Sequence, residues 1–201
     1  MIFGTLPGGA PVELFELSSD KLTVRISNYG GRIISVVKDG MDMIVGPKRF
    51  EDMLKDTCYC GAICGRVANR IAKGRFSIDG DSRTVAVNNG PNHLHGGIQG
   101  FSYKVWTVEE LTGSRAVLSL SSPDGEEGYP GSLEVRVTYQ LDRSTLSIHY
   151  QACSDQDKMS FDDLFEGDVK FYKNAQDFLK RAKEVQAAGK AYAGLDVYKR
   201  Q

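Results

Sequence analysis

Between Met1 and about Asp157 the apolar positions of the chain recur with a period of two. Leu22, Val24 and Ile26 alternate with Thr23, Arg25 and Ser27. Leu133, Val135, Val137, Tyr139 and Leu141 alternate with Glu134, Arg136, Thr138 and Gln140, and Leu146, Ile148 and Tyr150 follow with Ser147 and His149 between them. Successive side chains of a strand point to opposite faces, so the pattern predicts antiparallel strands with one face on a core and one in water. Gly30-Gly31, Asp39-Gly40, Asp79-Gly80, Asn89-Gly90 and Asp124-Gly125 separate the runs. These dipeptides tolerate the left-handed backbone of tight reversals. The architecture expected of residues 1–157 is an all-β antiparallel sandwich.

Past Asp157 the period changes. Phe165, Val169, Tyr172, Phe178 with Leu179, Ala182 and Val185 recur mostly at three- and four-residue steps, with Ser160 and Asp163 in capping positions and Gly189 as a stop. One apolar stripe at that spacing predicts a C-terminal helix within residues 158–201, a tail distinct in character from residues 1–157.

Composition acts mainly by exclusion. Of 201 residues, 41% are hydrophobic and 25% charged, which is the range of folded domains and not of disordered tails. Lys and Arg total 25 against 26 Asp and Glu, so the basic excess of a duplex-binding protein is missing and no nucleic-acid partner is expected. The longest apolar runs, such as Ile33-Ile34-Ser35-Val36-Val37, fall far short of the ~20 residues that span a bilayer. The chain also opens without a basic, apolar leader. No membrane partner and a cytoplasmic location are expected, with the choice between monomer and dimer left open.

Four cysteines (Cys58, Cys60, Cys64 and Cys153) are too few for a disulfide scaffold. The Cys-x-Cys-x-x-x-Cys spacing differs from the paired spacing of structural zinc sites. Reduced thiols packed as small apolar side chains are expected, with no metal.

Two segments concentrate unusual chemistry: Gly61 to Ala72, containing Arg66, Asn69 and Arg70, and Asn88-Asn89-Gly90-Pro91-Asn92-His93-Leu94-His95-Gly96-Gly97. Glycines allow a backbone to approach a ligand closely, and His can exchange a proton near neutral pH. Arg70 offers a fixed fork of donors and Asn69 a donor with an acceptor, a combination suited to vicinal hydroxyls. Phe101 or Trp106 can present an apolar face to a sugar ring. Structural roles compete at each position. Arg66 and Arg70 can be ion-pair partners, Asn69 can cap a turn, and one of His93 and His95, which share a face if extended, can simply bond a carbonyl. The residues alone indicate a polar site for an uncharged ligand, without a cofactor signature.

Taken together, Gly65-Arg66-Val67-Ala68-Asn69-Arg70-Ile71-Ala72-Lys73-Gly74, Asn92-His93-Leu94-His95-Gly96-Gly97 and Gly128-Tyr129-Pro130-Gly131 resemble the aldose 1-epimerase (galactose mutarotase) family. Asn28-Tyr29-Gly30-Gly31 and Ser122-Pro123-Asp124-Gly125-Glu126-Glu127-Gly128 add to the match, which runs in family order from about Phe3 to Asp157. The resemblance implies a galactose mutarotase-like β-sandwich, incomplete here, that interconverts α and β anomers of free aldoses such as glucose and galactose without metal, nucleotide or other cofactor. It implies that Asn69 and Arg70 bind sugar hydroxyls and that His95 lines the site beside the ring oxygen, in a supporting catalytic role. Trp106 is assigned to packing.

Mutarotation needs one group to protonate the ring oxygen and another to deprotonate the anomeric hydroxyl. In the family the acid is a His in a Thr-Asn-His-x-Tyr-Phe-Asn-Leu strand and the base a Glu near the C-terminus. Here Asp157-Lys158-Met159-Ser160-Phe161-Asp162-Asp163-Leu164 stands in place of that strand and no His follows His149. Neither the principal acid nor the base has a counterpart, and His149, inside alternating strand sequence, is not promoted to that role. The expectation is a truncated or chimeric mutarotase chain, itself inactive. The alternatives are a noncatalytic sugar-binding or regulatory protein with a helical interaction tail, and a shortened isomerase with acid–base groups rebuilt from Asp or Glu in the tail.

Overall fold

The period-two alternation becomes two antiparallel sheets in the computed structural model, which describes residues 1–78 and 80–155. Strands β1 (Ile2–Thr5), β2 (Pro11–Ser18), β3 (Thr23–Ser27), β4 (Arg32–Lys38) and β5 (Met41–Asp42) lie side by side in chain order. A short helix α1 (Phe50–Met53) follows. Then come β6 (Arg70–Ile71), β7 (Arg75–Ile78), β8 (Asp81–Thr84) and β9 (His93–Leu94), which form two small ladders, β6 with β9 and β7 with β8. Finally β10 (Thr107–Leu111), β11 (Arg115–Ser122), β12 (Leu133–Asp142) and β13 (Thr145–Ser154) make a four-stranded sheet, again in chain order. The helix expected within residues 158–201 lies outside the described residues.

The chain forms two compact units. The first comprises Met1–Cys64, Phe101–Ser122 and Leu133–Cys153, and therefore holds both larger sheets. The inward positions foreseen from the alternation meet in one core. Leu22, Val24 and Ile26 join Phe15 and Leu17 from the first sheet, and Val135, Val137, Tyr139 and Leu141 join Ala116, Leu118 and Leu120 from the second. Their partners Arg25, Glu134 and Arg136 point to solvent. Register supports this arrangement: Leu118 lies opposite Val137 and Leu120 opposite Val135, so apolar side chains adjoin along the face. A bulge between Arg25 and Ile26 shifts the β3–β4 pairing, from Arg25 opposite Ser35 to Ile26 opposite Ile33.

Trp106 is 1% exposed in this core, its indole N–H donating to the Phe101 carbonyl at 3.2 Å and its ring edge-on to Phe101 at 5.9 Å. Its packing role stands. Neither ring is left to face a ligand, contrary to the sequence-based alternative, because burying so large an apolar surface outweighs presenting it to water.

The 56–60 segment of the same unit is organised by charge. Arg32, 1% exposed, donates through Nη1 to the Asp56 carboxylate and to the Cys60 carbonyl, and the carboxylate also accepts the Cys58 and Cys60 N–H groups. Burial pushes the Asp56 carboxyl up, but Arg32 and these amides hold it below the ordinary carboxylate value. All four cysteines are in the thiol form. Cys60 and Cys64 are half-buried while Cys58 and Cys153 are exposed, so the expectation that all four pack as apolar side chains is corrected. Cys58 lies in a loop fixed by polar contacts, and Cys153 lies one residue before the end of strand β13, none of whose residues is buried.

Among the described residues no helix is long and apolar enough to cross a membrane, and no three His, Cys, Asp or Glu side chains converge in a group that would hold a metal ion.

Candidate functional site

The second unit comprises Gly65–Gly100 and Pro123–Ser132, with Ser154 and Asp155. Its own small core is Val67, Ile71, Val85 and Tyr129, with Phe76 of the β7–β8 hairpin packed against them. Strand β6 places Ile71 into that core and leaves its neighbour Arg70 exposed, as alternation requires. In the ladder with β9, Arg70 pairs with Leu94 and Ile71 with His93.

At one end of these two-residue strands the backbone turns left-handed twice, at Asn69 (φ 67°) and at His95 (φ 51°). A non-glycine residue in that region costs about 1 kcal/mol or more and persists only when its surroundings impose it. Here the two residues hold each other. The His95 N–H donates to the Asn69 carbonyl at 3.1 Å, and the Asn69 N–H donates to His95 Nδ1 at 2.9 Å. A backbone amide can only donate, so Nδ1 is an acceptor and the proton of the neutral ring resides on Nε2. Burial, then the positive charge of Arg70 and of a protonated His93, holds the His95 pKa below the ordinary histidine value. Arg70 is oriented in turn: its Nε donates to the Asn89 Oδ1 at 2.9 Å.

His93 is the inverse case. It is fully buried, with Nδ1 2.6 Å from the Ala86 carbonyl and Nε2 2.6 Å from the Tyr129 hydroxyl. The carbonyl must accept, so Nδ1 carries the hydrogen and Nε2 accepts from Tyr129. Burial lowers the His93 pKa against the opposing pull of Ala86 and Glu127, and burial raises that of Tyr129. The expectation that His93 and His95 share a face if extended is therefore corrected. Extended structure ends at Leu94, and the left-handed turn at His95 re-aims the second ring. One histidine does bond a carbonyl, and it is His93.

Arg66, one of the arginines weighed as an ion-pair partner, is a buried hub for the 123–131 loop. Its Nη1 donates to the Pro130 and Gly131 carbonyls at 3.0 and 2.7 Å and its Nη2 to the Pro123 carbonyl at 2.8 Å, with the guanidinium 5.9 Å from the Tyr129 ring centroid. Burial lowers its pKa, against the raising effect of the nearby acidic groups.

The unit thus brings Asn69, Arg70 and His95 together, and all three offer hydrogen bonds. This donor set suits a neutral ligand rich in oxygen acceptors. Three contributors escaped the sequence reading as individuals. Asn88 bonds Leu94 and Gly97, Glu127 bonds Ile98 and Gln99, and Tyr129 bonds His93. The glycine density around Gly96 was the available signal: a Cβ there would collide with the Gly65 carbonyl, so only glycine fits. Nothing local marked Glu127.

A family model described as aldose 1-epimerase matches residues 13–162. The galactose mutarotase of Sus scrofa is 47% identical over 161 residues, covering 77% of this chain and 47% of that protein. The aldose 1-epimerase of Escherichia coli K12 is 32% identical over 160 residues, covering 75% of this chain and 45% of its own. The crystal structure of galactose 1-epimerase from Lactobacillus acidophilus superposes with a TM-score of 0.70 at 29% identity, over 78% of this chain and 48% of that one. The chain spans about half the length of the curated relatives it matches.

Proposed function

Because the chain belongs to the aldose 1-epimerase family, we propose that it serves the interconversion of α and β anomers of free aldoses, glucose or galactose, and that Asn69, Arg70 and His95 contact the sugar. The observation that carries this reading is the reciprocal Asn69–His95 pairing beside the oriented fork of Arg70. Arg70 and the Asn69 side-chain amide would bind hydroxyl oxygens, and His95 would donate its Nε2–H to the ring oxygen.

Ring opening leaves charge on that oxygen as its bond to C1 breaks, so a donor there stabilises the transition state more than the cyclic ground state. A neutral His95 whose Nδ1 already accepts from Asn69 is a hydrogen-bond donor, not a base. The group that removes the anomeric proton must lie elsewhere. Glu127 is assigned to bracing instead, its two oxygens accepting the Ile98 and Gln99 N–H groups. In this reading residues 1–157 supply sugar recognition and ring-oxygen stabilisation. Four cysteines in the thiol form support a reducing, cytoplasmic setting.

The test is binding of D-galactose by the chain, followed by calorimetry or ligand NMR, together with polarimetry of fresh α-D-galactose. Binding that weakens at least tenfold in Arg70→Ala, with little acceleration of mutarotation, is expected. No binding at millimolar sugar overturns the reading. Brisk catalysis abolished by His95→Ala overturns the supporting role and makes His95 the principal acid.

A further inference from the structure

We propose that Asn88 and Glu127 are positioning residues for His95, holding its turn so that the imidazole keeps Nδ1 on Asn69 and presents Nε2–H. The inference deepens the reading of His95 as the sugar-site histidine and rests on it. Three successive residues, His95, Gly96 and Gly97, have positive φ (51°, 87° and 103°). Such a run has little intrinsic preference for one conformation, and its own closure includes a single bond from the Gly97 N–H to the Leu94 carbonyl at 3.1 Å. Apolar burial does not pin the segment that follows, for Ile98 is 58% exposed. Polar braces from two other segments do.

Asn88 spends its whole amide on this turn. Its Oδ1 accepts the Leu94 N–H at 2.7 Å, and its Nδ2 donates to the Leu94 and Gly97 carbonyls, both at 2.9 Å. One planar group thereby ties the residue before His95 to the residue two beyond it. Glu127 grips the next stretch, its two carboxylate oxygens accepting the Ile98 N–H at 2.9 Å and the Gln99 N–H at 2.7 Å. The brace is closely fitted: a Cβ on Gly97 would collide with the Glu127 carboxylate. The two braces are also joined, because the Glu127 carbonyl accepts the Ala86 N–H at 3.0 Å, two residues from Asn88. Ring placement within a fraction of an ångström is what a hydrogen-bonding site requires, and such placement comes from supporting contacts of this kind.

The experiment uses the full chain with 15N-labelled histidine, which contains only His93, His95 and His149. Long-range proton–nitrogen correlation reports which ring nitrogen carries the proton. In the wild type at pH 7.5, His95 should show an acceptor Nδ1 and a protonated Nε2, and His93 the reverse. In Asn88→Asp, which keeps the size but loses both donors, and in Glu127→Gln, the His95 pattern should shift towards an average of the two tautomers, while His93 is unchanged. Galactose affinity should fall about tenfold in parallel. Glu127→Asp keeps the charge but is too short to span both amides, so the same shift there separates bracing from charge.

An unaltered His95 pattern in all three variants overturns the proposal. Collapse of the His93 pattern in all three overturns it as well, since the residues then hold the unit and not the ring. A shifted His95 pattern in a chain that never bound galactose leaves the positioning role standing and removes the sugar reading alone.

Discussion

The two units of this chain are held by different forces. In the first, order comes from apolar faces: Leu118, Val137 and Val24 are fully excluded from water, with Leu118 opposite Val137 and Val24 opposite Leu17 in antiparallel register. In the second, the strands carrying the candidate site are two residues long, and side chain to backbone hydrogen bonds do the corresponding work. Apolar burial is non-directional and fills space, whereas hydrogen bonds set angles. A sandwich can be built from the first kind of force, but the aim of an imidazole cannot.

That contrast orders the effects of mutation. The largest loss is expected in the first unit. Leu118→Ala leaves a cavity in a fully buried site, and should cost about 3–5 kcal/mol in denaturant unfolding. A loss below about 1 kcal/mol would show that the sandwich core is not the main source of stability.

In the second unit, Tyr129→Phe removes only an oxygen, yet it leaves the buried Nε2 of His93 without its donor. About 1–2 kcal/mol is expected from the same measurement, and no loss would remove the polar half of the contrast.

Acid separates the units further. His93 and His95 have folded pKa values below the unfolded value of about 6.5, so the unfolded chain binds more protons between those values. Their stabilising contribution is complete above pH 6.5 and lost as pH falls through the folded values. Asp56, lowered by Arg32, contributes above the unfolded carboxylate value of about 4 and is lost only as pH falls below it. Denaturation midpoints should therefore fall between pH 7.5 and 5.5 in wild type and fall less in His93→Gln. An identical slope in the two would sink the assignment.

The smallest effect belongs to the surface pair of Arg25 and Glu16, which are about half exposed. Glu16→Ala should change stability by no more than about 0.5 kcal/mol, and salt should erase the difference.

Much of this was legible in the chain. The alternations through Leu22–Ile26 and Leu133–Leu141 predicted the strands and their apolar inward positions, since a period of two sends alternate side chains to one face, but Ser27 and Thr138, expected in water, are buried as well. Trp106 read as packing and is buried in the core. The motif around Asn69, Arg70 and His95 pointed to a family, and the comparisons agree. Harder to read were His93 and His95, two residues apart and alike in type. Their tautomers depend on Tyr129 and on Asn69, which lie 36 and 26 residues away.

By itself, then, the sequence determined the sheets, the inward positions and the family, because those follow from local periodicity and from residue order. The tertiary structure alone decided which histidine is buried, which nitrogen of each carries the proton, and that Asn88 and Glu127 brace the turn. Those properties arise where segments distant in the chain meet, and a hydrogen bond exists only once both partners have been brought within about 3 Å of each other.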